Sequence, residues 1–332
     1  MTVHEVLAAM PGRIADLLAV RGLGEQQLGP LLDWPAEDGV LVTGSYAESL
    51  ETRASDIDLI VLRETAEPLV EVAAARGLPL TDVQASTFID RILTAVGNVE
   101  FDIWLVSRDR MDSLSVILGA ALDDDGTIHS IPGLQYLEDK LLCRLYEGIV
   151  LQNEPRVMQW RRSLRTDHLP GLLTAMLLGE AISLLEDAVV LPEGREAGGL
   201  ATTTGGMVAG RAAAERLLRA SLASVGIVGW DLRYATLFRE RLLAAAAPVP
   251  HALLALEDLL FPRAPTGEGA AVAVAEYTSL IAHHVRMLVS ELDRRPRTPG
   301  VRDFLAKLAP DRWTLDSGVI GLGGPSPTRE GR

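Results

Sequence analysis

The chain has 332 residues, 48% hydrophobic and 23% charged, which supplies apolar material for one large domain or two ordinary ones and excludes general disorder. Its formal charge is -14, from 31 Lys and Arg against 45 Asp and Glu, with lysine only at Lys140 and Lys307; such a surface disfavours nucleic acid or an anionic membrane as partner and favours a cationic or neutral one. Cys143 is the single cysteine, which rules out an intrachain disulfide and a thiolate metal cluster and agrees with a reducing compartment.

In chain order, residues 1–20 repeat apolar positions at helical spacing, carry acidic residues and lack a basic leader followed by an unbroken apolar run. No stretch reaches the roughly 18 to 20 uncharged apolar residues that cross a bilayer, so a soluble, cytoplasmic protein is expected. Leu28 to Leu32 reads as helix before Pro35. Gly39 to Thr43 is a short β-branched run halted by Gly44-Ser45, a strand ending in a tight turn, and Tyr46 to Leu50 is expected to start a helix behind it. Asp56 to Leu62 alternates Ile57, Leu59 and Val61 with Asp56, Asp58 and Ile60, a strand with an unusual face. Residues 66–76 predict a helix ending near Gly77, and 87–96 fit helix or strand equally. Val99 to Val106 is a second clear strand, with Glu100, Asp102 and Trp104 on one side and Phe101, Ile103 and Leu105 on the other.

From about residue 110 the apolar period becomes 3.6, over 133–152, 168–190, 206–225, 231–247 and 269–294, with breaks at proline or paired glycine. The expected fold class is α+β: a catalytic domain with a small mixed sheet over 1–110, including the N-terminal helix, an all-helical bundle over 111–317, and a flexible tail over 318–332.

The two-residue spacing of Asp56 and Asp58 sends both side chains from the same strand face, with Cα atoms roughly 6 to 7 Å apart. Buried together without cations they would repel and raise at least one pKa; bound Mg²⁺ removes both problems. Asp102, near the middle of the second strand, completes the set if that strand lies beside the first. Three carboxylates converging on one point suit phosphoryl or nucleotidyl transfer, in which two metal ions stabilise the leaving oxygens and lower the pKa of the attacking hydroxyl. Gly44 lets the main chain turn closely around an anion, and Ser45 with neighbouring N–H groups suits the terminal phosphates.

With these residues in place, the stretch GSYAESLETRASDIDLIVL resembles the DNA polymerase beta-like nucleotidyltransferase superfamily, closest to its small-molecule, aminoglycoside-type adenylyltransferases. The resemblance spans residues 39 to 106: a Gly-Ser turn after the first strand, Asp-x-Asp on the next, one further acidic residue on a later strand. It implies that Asp56, Asp58 and Asp102 hold two Mg²⁺ ions, that Gly44 and Ser45 grip the triphosphate, and that AMP passes from ATP, or another nucleoside monophosphate from its triphosphate, to a hydroxyl of a small, cationic acceptor. In two-domain members the helical domain closes over the nucleotide and contributes acidic residues to the acceptor pocket, and YLEDKLLCRLYEGIVL looks like their first helix after the catalytic domain. Rival readings are nucleotidylation of a protein hydroxyl, and a catalytically silent nucleotide-binding module whose helical part serves as a homodimer platform.

Several residues remain open between two readings. Lys140 and Arg144 are neighbours at i,i+4, either an ordinary helix face or ligands of the triphosphate. Arg53 precedes Asp56 closely enough to swing toward a phosphate. Asp123, Asp124 and Asp125 read as a solvated turn or as a lure for a cationic acceptor. Arg156, Arg161, Arg162 and Arg165 around Trp160 read as rim charges on a packed helix, as a phosphate or nucleotide contact, or as a groove for nucleic acid, which the net charge disfavours. Asp102, Glu138, Asp139 and Glu147 are all candidates for the general base. The histidines have no zinc-ligand spacing.

Overall fold

A computed structural model describes residues 25–47, 55–78, 80–85, 89–193, 200–228, 232–245, 247, 249–262, 270–292, 294, 298, 300–308, 313–314 and 319–320. The helix expected over 1–20, Arg53 and most of the tail lie outside the described residues. The chain divides into two compact units, Met1–Ala121 with Pro132–Leu169, and Leu122–Ile131 with Pro170–Arg332.

The first unit is built on a six-stranded sheet: β1 (Gly39–Thr43), β2 (Ile57–Arg63), β3 (Leu80–Ala85), β4 (Asp90–Val96), β5 (Val99–Ser107) and β6 (Ile149–Gln152), in the order β3-β4-β5-β2-β1-β6. Only β2 and β5 run parallel, and the other neighbours are antiparallel. The segment that fitted helix or strand is thus a strand, bound to β5 through a tight turn in which Gly97 takes φ +64°. One face of the sheet is a continuous apolar core, in which Val40, Val42, Ile57, Leu59, Val61, Phe101, Ile103 and Leu105 pack with Leu31 and Leu32 of the Glu25–Leu32 helix and Val72 of the Leu69–Ala75 helix.

The expected division at 110/111 differs from the observed one, since Pro132–Leu169 packs with the sheet. The continuous helix read over 133–152 is a helix at Tyr136–Glu147 followed by β6. Gly148 makes the break: its backbone is extended (φ -61°, ψ 143°), and a Cβ there would lie 3.0 Å from Thr43 Cγ2 and 2.7 Å from the Arg144 carbonyl oxygen. The β-branched Ile149-Val150 then joins the free edge of β1.

The second unit is helical, as expected, with main helices Leu169–Glu193, Leu200–Ser224, Ala235–Ala244 and Ala270–Leu292. Small residues let the long helices approach: Gly210 lies against the Tyr277 ring, where an added Cβ would meet Cε1 at 3.1 Å, and the Tyr277 hydroxyl donates to the Leu259 carbonyl at 2.5 Å. Among the described residues one helix, over Thr166–Ala188, is long and apolar enough by length and composition to cross a membrane, and 67% of its apolar 18-residue stretch is buried inside the protein.

Candidate metal centre

The parallel pairing of β2 with β5 sets the site. Its register places Asp58 directly opposite Asp102, while the antiparallel pairing of β1 with β2 places Thr43 opposite Asp58. Because side chains alternate, Asp58 and Asp102 leave the face opposite the apolar core. Asp56 stands two residues earlier, just ahead of β2. One carboxylate oxygen from each of Asp56, Asp58 and Asp102 lies within 4.8 Å of the others, and no other such group of His, Cys, Asp or Glu occurs among the described residues. Asp58 and Asp102 are buried, 6% and 2% exposed, and Asp56 is the most open of the three.

Gly44 fits against this cluster. It takes φ +69°, opening the 3-10 turn Gly44–Tyr46, and a Cβ there would collide with the Asp58 carboxylate, with Cγ only 2.9 Å away. A residue with a side chain cannot hold both that backbone and that proximity. Ser45 follows in the same turn, partly exposed.

Two guanidinium groups neutralise the buried carboxylates. Arg91 of β4 forks onto Asp102, with Nε to Oδ1 at 2.6 Å and Nη2 to Oδ2 at 3.0 Å. Arg144, from the Tyr136–Glu147 helix, donates through Nη2 to Asp58 Oδ1, and its Nη1 stands 3.8 Å from Asp102 Oδ2. Trp104 lies beneath: its indole N–H donates to Asp102 Oδ1 at 3.0 Å, and its ring carries the Arg144 guanidinium 4.1 Å and the Lys140 ammonium 5.3 Å from the centroid. Lys140 and Arg144 therefore reach the carboxylate site from one helix face.

Burial pushes the Asp58 carboxyl up to about 7; Arg144 opposes that rise, and the charges of Asp56 and Asp102 add to it. The Arg91 guanidinium is held above its ordinary value by its hydrogen bonds to Asp102, and burial lowers Lys140. Three carboxylates offering oxygen ligands at one point suit a hard divalent cation, whose charge would oppose the burial and the carboxylate repulsion that raise Asp58.

Several of the other candidates have structural occupations. Glu138 closes a capping box, accepting from the Gln135 backbone N–H at 2.7 Å. Arg161 donates to the carbonyls of Leu145 and Gly148, Arg156 pairs with Glu64, and Trp160 is buried, so the basic island is a packed helix with anchored rim charges. Asp123 pairs with His129 at 2.7 Å, and Asp125 caps its own turn through the Thr127 N–H. Sequence reasoning missed Arg91 and the double role of Trp104. The only signal for Arg91 was its membership of a β-branched run that also fitted a helix.

No protein-family model and no curated protein matches the chain. Among solved structures it is similar to a nucleotidyltransferase-like protein from Exiguobacterium sibiricum, at 12% identity over 87% of this chain and 90% of that one, with a TM-score of 0.38.

Proposed function

We propose that the chain is a Mg²⁺-dependent nucleotidyltransferase that moves a nucleoside monophosphate, AMP from ATP, onto a hydroxyl of a small acceptor and releases pyrophosphate. The observation that carries this reading is the pairing of Asp58 opposite Asp102 on adjacent parallel strands, with Asp56 completing a three-carboxylate cluster against the Gly44 turn. Asp56, Asp58 and Asp102 would together hold the Mg²⁺ ions. Bound there, the ions supply charge to the phosphate oxygens and acidify the attacking hydroxyl. Gly44 keeps the Asp58 carboxylate in place by leaving room for it, and Gly44 with Ser45 presents backbone N–H groups and a hydroxyl to the terminal phosphates. Lys140 and Arg144 supply positive charge from the helix above the carboxylates. Of the general-base candidates, Glu138 is committed to its cap and Asp102 to Arg91 and Trp104. The chain's charge of -14 favours a cationic acceptor.

A second reading rests on a specific observation: Asp58 and Asp102 already hold guanidinium partners, an arrangement that suits a silent nucleotide-binding module. Pyrophosphate release from each of the four nucleoside triphosphates with Mg²⁺, with and without an aminoglycoside panel, separates the two. Release that depends on Asp56 and on an aminoglycoside is expected. Release no greater than that of Asp56→Asn under every condition would reject the transferase reading, and mass added to a co-purified protein would move the acceptor to a protein hydroxyl.

A further inference from the structure

Arg144 is held differently from Arg91. Arg91 grips Asp102 with two hydrogen bonds and a third of its side chain faces solvent. Arg144 holds Asp58 through one nitrogen only, its side chain is 10% exposed, and its buried Nη1 has no hydrogen-bond partner, the nearest carboxylate oxygen being Asp102 Oδ2 at 3.8 Å. A guanidinium in that place occupies one of the two Asp58 oxygens, and it repels any dication drawn to the cluster. A buried donor without a partner is costly, so Nη1 is poised for an incoming acceptor. The Trp104 face beneath it limits where the group can go.

We infer that Arg144 makes the centre select a metal–triphosphate complex over the free metal ion: the guanidinium competes with a lone dication for Asp58, but transfers to a phosphate oxygen when the cation arrives with its anion. The free ion must share Asp58 with Arg144 or displace it, and either way sets two buried positive charges side by side. The complex supplies the missing acceptor. Arg144 then has opposite effects on two ligands that share one site, which a merely structural ion pair would not have. This inference rests on the metal-dependent reading above and adds the form in which the metal is taken up.

The test needs no turnover. Mn²⁺ binding to the full chain is measured by electron paramagnetic resonance, alone and with either a non-hydrolysable ATP analogue or tripolyphosphate, for wild type, Arg144→Gln and Arg144→Lys, with circular dichroism to establish folding. Arg144→Gln is expected to bind free Mn²⁺ about tenfold more tightly and the Mn²⁺–triphosphate complex about tenfold more weakly. Arg144→Lys keeps the charge but not the planar fork, and shows smaller shifts of the same signs; it carries the test if the glutamine variant does not fold. Free-ion affinity unchanged or reduced in both variants, with wild type binding Mn²⁺, overturns the inference and leaves the metal centre standing. No Mn²⁺ binding by any of the three, with or without triphosphate, removes the metal centre and the inference with it.

Discussion

The two faces of the sheet are made by alternate residues of the same strands, yet they are different solvents. On one, Ile57, Leu59, Val61, Phe101, Ile103 and Leu105 are buried among aliphatic neighbours. On the other, Asp58 and Asp102 are buried just as deeply among cations and an indole. A one-residue step along β2 separates a side chain whose burial stabilises the fold from one whose burial opposes ionisation. Ile60, Leu62 and Val106 are buried further along the same face as the carboxylates, so the contrast is local to the strand ends at Asp58 and Asp102, where stability and chemistry fall to alternate residues and should respond separately to substitution.

The largest expected effect is chemical. Asp56→Asn, at the most open carboxylate, should lower kcat/KM for pyrophosphate release by about 10³-fold or more, roughly 4 kcal/mol of barrier, while the urea midpoint moves little, within about 0.5 kcal/mol. Retained turnover would detach the cluster from catalysis. The mirror experiment is Ile103→Ala on the apolar face: with Ile103 fully buried, about 2 to 5 kcal/mol of stability should be lost in urea unfolding, with Mn²⁺ affinity unchanged in the folded protein. If the alanine variant loses metal affinity as much as stability, the two faces are not separable.

The pH dependence sharpens the polar side. Folded Asp58 titrates at about 7 against an ordinary 3.8, because burial outweighs Arg144, so between those values the folded chain binds a proton that the unfolded chain has released. Its contribution to stability is fully present below pH 3.8 and is lost as pH rises to about 7, on the order of a few kcal/mol in the presence of a chelator. Urea midpoints of wild type and Asp58→Asn across pH 4 to 7 isolate this: wild type should fall relative to the variant with rising pH, and parallel curves would contradict the assignment. Gly44→Ala should cost about 1 to 3 kcal/mol, from its positive φ and the collision with Asp58. Thermal unfolding with and without Mn²⁺ checks it, and the variant should also lose metal-induced stabilisation because the carboxylate is pushed aside.

What the chain discloses about itself follows the same parity. Period-two alternation put Asp58 and Asp102 on faces opposite Ile57 and Phe101 before any coordinates, and Gly44 before Ser45 marked the turn. Adjacency was beyond it, since nothing local says that β2 and β5 lie side by side, parallel, with Asp58 opposite Asp102. The cations were harder still. Arg144 meets Asp58 across 86 positions, and Arg91 sits in a run whose apolar spacing fits helix or strand until β5 is present to pair with it. The break at Gly148 was hidden for a related reason: Leu141, Leu145 and Ile149 keep helical spacing, and only the contact with Thr43 and the free edge of β1 turn the last residues into strand.

The smallest effect tests the boundary between the faces, where Trp104 is aromatic like the core and polar like the site. Trp104→Phe keeps a ring under Arg144 and Lys140 but removes the N–H that Asp102 accepts. Asp102 retains its fork from Arg91, so about 1 kcal/mol should be lost. Trp104→Leu removes the ring face as well, and the desolvated cation–π contact adds about 1 to 2 kcal/mol to that loss. The difference between the two variants, read from urea midpoints, therefore measures the ring's attraction for the guanidinium free of the hydrogen bond. Equal losses would mean that Arg144 is held by Asp58 alone, and the indole would then belong with the apolar residues that alternate with it rather than with the carboxylates.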